Sequence, residues 1–196
     1  MKTFVINLDH RPHRWHHVKA EAEKMNLDVE RVSAVYHKDK RGWHGCRDSH
    51  LKVLEMGREH GIFCVLEDDA LFLQGAADII SKAMQQLPPD WDMLYLGSSP
   101  QELQERYSDN LFRLRNAWCT HAMIWNAREG GALEYVLAHR EDITKIDVYY
   151  AGVIQFKFNT FTVDPIACTQ SAGFDSDIAK YSDVNTIVRN HKQYCK

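Results

Sequence analysis

The chain has 196 residues, 44% of them hydrophobic and 26% charged, with a formal net charge of −3. That length suits one domain with a single sizeable core, and the acidity excludes a globally basic nucleic-acid binder while leaving room for a local basic groove. No apolar run reaches the length of a membrane span, and the N-terminus enters a strand without a signal-like hydrophobic region, so the sequence reads as cytoplasmic with no integral membrane segment.

Thr3-Phe4-Val5-Ile6-Asn7-Leu8-Asp9 reads as a buried strand, and Arg11-Pro12-His13-Arg14 leads from it into a helix. Trp15, Val18, Ala22 and Met25 recur there at helical spacing and predict a stripe packed on a sheet. Val29 to Tyr36 reads as a second strand, followed by a charged loop, residues 37–42, that ends in a glycine. In the next helix Cys46, His50, Val53 and Gly57 share one face, which carries His50 inward near the helix start. A third strand, Phe63-Cys64-Val65-Leu66, runs into Glu67-Asp68-Asp69. Ala76, Ile79, Ile80, Ala83 and Leu87 mark another amphipathic helix, stopped by Pro88-Pro89 ahead of a fourth strand from Trp91 to Leu96. This alternation predicts an α/β fold, a Rossmann-type, mostly parallel sheet flanked by helices. Beyond Gly97 the periodicity fades. Residues 98–110 read as a polar loop able to close on a ligand. Strands are expected at 111–115, 119–125 and 158–163, helices at 127–139 and 148–156, and a polar, partly ordered tail from Tyr181.

An apolar strand that ends in three adjacent carboxylates needs compensating charge, because like charges held together repel. Open α/β sheets bind ligands outside the carboxyl ends of their strands, so Glu67, Asp68 and Asp69 are candidate ligands for Mn²⁺ or Mg²⁺ against a phosphate-bearing molecule. Strand alternation puts Glu67 and Asp69 on one side and Asp68 on the other. Arg11 and Arg14, at the end of the first strand, could pair with phosphate or with these carboxylates. The eleven histidines also raise a zinc reading, first for His10, His13, His16 and His17, where Pro12 interrupts the helical spacing. His44, Cys46 and His50 form a similar cluster, although packing already accounts for Cys46 and His50. The five cysteines, at 46, 64, 119, 168 and 195, lack CxxC spacing and are expected as reduced thiols.

Three of these stretches together resemble glycosyltransferase family 25, whose pattern runs I-N-L-D-x-R-x-x-R, then G-C-x-x-S-H, then E-D-D. They are Ile6-Asn7-Leu8-Asp9 with Arg11 and Arg14, Gly45-Cys46 with Ser49-His50, and Glu67-Asp68-Asp69. Asp92-Met93-Leu94-Tyr95-Leu96-Gly97, Thr120-His121-Ala122-Met123-Ile124, Ile146-Asp147-Val148 and Ser176-Asp177-Ile178 are similar to later landmarks, so the resemblance covers most of the chain. It implies a single GT-A-like domain over 1–196: a nucleotide-sugar-binding half over 1–97, an acceptor half over 98–180 and a tail over 181–196. It further implies a metal-dependent hexosyltransferase that uses a nucleotide sugar, UDP-galactose or UDP-glucose, with inversion at the anomeric carbon. Asn7, Leu8, Asp9, Arg11, Arg14, Ser49 and His50 would then line the donor site. Asp69 would be the direct metal ligand, with Glu67 or Asp68 beside it.

The base must lie outside the metal-holding triplet. Asp147, between apolar Ile146 and Val148, is the leading candidate, with helix capping as its competing role. Asp175 and Asp177 are the rival carboxylates. The acceptor hydroxyl is left open among a glycan, a hydroxylated protein and a hydroxylated nucleic-acid base. Two other classes fit the same residues: a non-catalytic nucleotide-sugar-binding domain and a metal-dependent phosphohydrolase.

Overall fold

The computed structural model describes residues 1–174 and 184–196. Its centre is an eight-stranded sheet built from β1 (Lys2–Asn7), β2 (Val29–Ser33), β3 (Ile62–Glu67), β5 (Met93–Tyr95), β7 (Glu105–Ser108), β8 (Leu111–Arg113), β10 (Ala122–Asn126) and β11 (Thr160–Val163). The strand order is β2-β1-β3-β10-β5-β11-β8-β7. Strands β2, β1, β3, β5, β11 and β7 run in one direction, and β10 and β8 run against it. Two small ribbons complete the strands: β4 (Ala70–Phe72) pairs with β12 (Cys168–Gln170), and β6 (Ser99–Pro100) pairs with β9 (Ala117–Trp118).

Strand periodicity sorts the core onto two faces. Phe4, Ile6, Phe63, Val65, Met93, Tyr95, Met123 and Trp125 pack on one side, where α2 (Gly42–Gly57), α4 (Ala132–Ala138) and Tyr150 cover them. Val5, Cys64, Leu66, Leu94, Ile124 and Phe161 face the other side, under α1 (Pro12–Lys24) and α3 (Ala76–Gln86). The stripe predicted for α1 is there: Val18 and Ala22 are buried, and Trp15 and Met25 pack against that cluster. Pro12 opens the helix, where its missing N–H costs nothing.

Several elements differ from the sequence expectation. Strand β10 inserts antiparallel between β3 and β5, filling the gap between two strands that the βαβ pattern would make neighbours. Its Ala122 to Trp125 are all buried, as a strand covered on both faces requires. Part of the expected 98–110 loop is strand, with β6 in a ribbon and β7 at the sheet edge. The expected 148–156 helix begins earlier, as α5 (Ile146–Tyr149), and runs through a π-helical stretch over Tyr150–Ile154 into α6 (Gln155–Lys157). The polar tail contains α7 (Val184–Tyr194), which buries Ile187 and His191. Asn190 Nδ2 donates to Ser99 Oγ at 3.0 Å, and His191 Nε2 lies 3.1 Å from Asp164 Oδ1.

Candidate active site

A cleft of about 810 Å³ opens at the carboxyl ends of β1 and β3, within the usual range for small-ligand sites. Its walls come from the β1–α1 turn, the segment after β2, the start of α2, the acidic turn after β3, residues 118–120, the start of α5 and α7. Leu8, Arg11, Arg14, Ser49 and His50 line it. So do Glu67, Asp68, Asp69 and Asp147. Asp177, like Asp175, lies outside the described residues.

Each acid of the triplet has a different setting. Glu67 closes β3, and its Oε1 accepts a hydrogen bond from Thr120 Oγ1 at 2.6 Å and lies 3.2 Å from His50 Nε2. Desolvation works against ionising Glu67, but these contacts outweigh it and hold the carboxyl down at about 2. Asp68 has both oxygens engaged: Oδ2 accepts from Asn7 Nδ2 at 2.7 Å and Oδ1 pairs with Arg14 at 2.5 Å. Burial still pushes Asp68 above the ordinary carboxylate value, against the pull of Arg14 and Asn7. Asp69 Oδ2 lies 3.2 Å from Arg14 and accepts from Gln170 Nε2 at 3.2 Å, while its Oδ1 is buried with no partner among the described residues. Desolvation and the neighbouring Glu67 charge push Asp69 up to about 7.

Asn7 and Asp9 stand apart from the cleft wall. Asn7 is buried beneath it, donating to Asp68 and to the Arg11 carbonyl at 3.1 Å and accepting from Arg31 Nε at 2.8 Å. Its side chain therefore fixes Asp68 and the β1–α1 turn and is fully committed to protein. Asp9 is exposed and binds Arg31 at 2.7 Å and Ser33 Oγ at 2.8 Å, contacts that hold it below the ordinary carboxylate value. The sequence expectation has Asn7 meeting a donor through its backbone and Asp9 at the rim; their side chains serve the turn and β2. Ser49 lines the cleft with its hydroxyl in use, donating to the Gly45 carbonyl at 2.6 Å and accepting the Val35 N–H at 2.8 Å. A Cβ on Gly45 would lie 2.4 Å from the Val35 carbonyl oxygen, so glycine lets the segment after β2 rest on α2. The G-C-x-x-S-H stretch thus shapes one wall of the cleft by packing and hydrogen bonds, and sends His50 to Glu67.

Asp147 is the second residue of α5, partly exposed at the cleft, with Oδ1 accepting the Val148 N–H at 2.8 Å. Burial expected from its apolar neighbours does not occur, because Val148 itself points out at 48% exposure. Lys145 occupies the cap position, so capping of the helix start is not its role.

The opposite wall was less legible. Cys119 has a left-handed backbone, φ 79°, rare for a residue with a side chain and typical of strained functional segments. It separates Trp118, 47% exposed at the cleft, from Thr120, which reaches Glu67. Gln155 fixes this segment, accepting the Ala117 N–H and donating to the Ala117 carbonyl, each at 2.8 Å. Burial pushes the Cys119 thiol up to about 12, helped by the charges of Glu67, Asp147 and Asp69, which line the same cleft. The only hint in the sequence is the Thr120-His121 landmark.

No protein-family model matches this sequence, and no curated protein sequence matches it. Among solved structures the chain is similar to A197 from STIV, with a TM-score of 0.51 and 13% identity over 90% of this chain and 87% of that one. It is also similar to a glycosyltransferase involved in the glycosylation of the major capsid of PBCV-1, with a TM-score of 0.54 and 8% identity over 84% and 82% of the two chains. The fold is GT-A-like. At these identities the likeness concerns the fold alone. Among the described residues, no helix is long and apolar enough to cross a membrane.

Proposed function

We propose that this GT-A-like domain is a metal-dependent glycosyltransferase of the family 25 type, moving galactose or glucose from a UDP-sugar to an acceptor hydroxyl with inversion. The observation that carries it is the acidic turn after β3: Asp69 keeps a buried oxygen, unpartnered among the described residues, beside Glu67 at the strand end where such folds bind ligands. A hard divalent cation suits that oxygen. Mn²⁺ or Mg²⁺ held by Asp69, with Glu67 adjacent, would supply charge stabilisation for a departing diphosphate. Asp68, whose oxygens already meet Asn7 and Arg14, would serve the ion less directly than Asp69. Arg11 and Arg14 line the cleft beside the acids and would meet phosphate oxygens there. Asp147, across the cleft and partly solvated, would accept the proton of the acceptor hydroxyl. Residues 1–97 would hold the donor and later segments the acceptor, whether glycan, hydroxylated protein or hydroxylated base.

The test is calorimetry with UDP and UDP-sugars, with Mn²⁺ and with excess chelator. Binding should need the metal and should be largely lost in Asp69→Asn, whereas equal affinity with chelator would remove the metal from the site. Release of phosphate or sugar phosphate in place of transfer would indicate a phosphohydrolase, and tight binding without turnover would indicate a binding domain.

A further inference from the structure

One cluster at the cleft has donors of another kind. Cys46 Sγ, an imidazole nitrogen of His50 and a carboxylate oxygen of Glu67 all lie within 4.8 Å of one another. Cys46 and His50 come from one turn of α2 and Glu67 from the end of β3, so packing of the helix on the sheet brings them together. His50 is 1% exposed, and its Nδ1 is buried without a partner among the described residues. Nε2, beside Glu67 Oε1, is the ring nitrogen placed to share a metal with that carboxylate. Thiolate and imidazole donors select zinc-like ions and discriminate against Mg²⁺ and Mn²⁺. Zinc bond lengths of about 2.0–2.3 Å put tetrahedral donors roughly 3.4–3.6 Å apart. The His50–Glu67 pair is already at 3.2 Å. The thiol then needs only about an ångström of movement to complete the set.

We propose that Cys46, His50 and Glu67 form a zinc-class transition-metal site, with its fourth position open to the cleft. Three protein ligands and one open position are the arrangement of zinc sites that meet a substrate or water. Thr120, donating to Glu67 at 2.6 Å, orients the carboxylate as an outer-shell partner. Binding replaces the thiol proton with the metal, so one proton leaves Cys46 for solvent as the thiolate bond forms. The site shares Glu67 with the acidic turn, but Cys46 and His50 lie outside it, so thiolate ligation is tested separately from the transferase reading.

The experiment is titration of the metal-stripped full chain with Co²⁺ under a non-chelating reductant, followed by displacement with Zn²⁺. One equivalent should give a near-ultraviolet thiolate-to-cobalt band and tetrahedral visible bands, abolished by Zn²⁺ and unaffected by excess Mg²⁺. Cys46→Ser should lose the thiolate band. His50→Gln should weaken zinc by more than about 100-fold, because loss of even an outer-shell partner costs about 10–100-fold. Asp69→Asn should keep the band. X-ray absorption of the zinc-loaded wild type, which needs no variant to fold, should show one sulfur at about 2.3 Å. Absence of a thiolate band and of sulfur in the wild type overturns the site, as does a band that survives Cys46→Ser and disappears in Cys119→Ser.

Discussion

Asp147 and the acids after β3 face the same space but are held differently. Asp69 is pushed up by burial and by Glu67, whereas Asp147 is partly solvated and, among the described residues, accepts a hydrogen bond from the backbone N–H of Val148. A carboxylate so lightly held can be neutralised without cost to the fold, whatever it does in the proposed reaction. Asp147→Asn is therefore expected to keep the melting temperature and UDP-sugar affinity, and to lower turnover by about 10²–10⁴-fold, the usual worth of general-base assistance. Turnover, calorimetry and a thermal melt on that variant check it. An active variant, or a product of retained anomeric configuration by NMR, would move the base elsewhere.

Two helices at the cleft, α2 and α7, each make a test. In α2, a methyl group at position 45 would strike the Val35 carbonyl at 2.4 Å, a backbone atom that cannot swing aside. Gly45→Ala should part the segment after β2 from the helix, disturb the Ser49–Val35 hydrogen bond and destabilise by about 1–3 kcal/mol. A chemical denaturation curve measures this, and near-wild-type stability would show that the segment relaxes freely. In α7, burial lowers the His191 pKa from 6.5, against the opposing pull of Asp164. The folded state thus binds its proton less readily than the unfolded chain, so the contribution is complete above pH 6.5 and is lost as pH falls below it. His121, lowered in the same direction by burial, adds to the slope. The unfolding midpoint should drop as the solution is acidified from about pH 7.5 to about 5.5, with a slope of up to roughly 1.4 kcal/mol per pH unit for each proton. His191→Gln should flatten part of that slope, and an unchanged slope would mean that the helix is not held through this ring.

Across the fold, Asp92 joins pieces far apart in sequence. It is fully buried, and its oxygens accept the N–H groups of Ala132 and Asn159, each at 2.9 Å, and pair with Arg128 at 3.1 Å. It therefore ties the start of α4, the approach to β11 and the start of β5 together at the strand ends opposite the cleft. Asp92→Ala leaves two backbone donors and a guanidinium unmatched, and should cost about 3 kcal/mol or more. Denaturant unfolding measures the loss, while UDP-sugar affinity per folded molecule should be unchanged. A variant with both intact stability and lost binding would place Asp92 in the site instead.

Local signals made much of this protein readable before its fold was known. The unbroken apolar runs of β1 and β3, the helical stripe of α1 and the three carboxylates after an apolar strand depend only on neighbours in the chain, and they indicated an α/β sheet with acidic side chains at a strand end. What pairs with what depended on distant segments. The antiparallel β10 is as apolar as its neighbours, so nothing in its composition states its place between β3 and β5. The partners that divide Asn7 and Asp68 from Asp69, the packing role of Gly45 and Ser49, and the strained turn at Cys119 likewise arise only when strands, helices and turns meet. Sequence marks which side chains are charged or apolar, but the remaining free oxygens and the cleft they face are set by whichever hydrogen bonds tertiary packing has already formed.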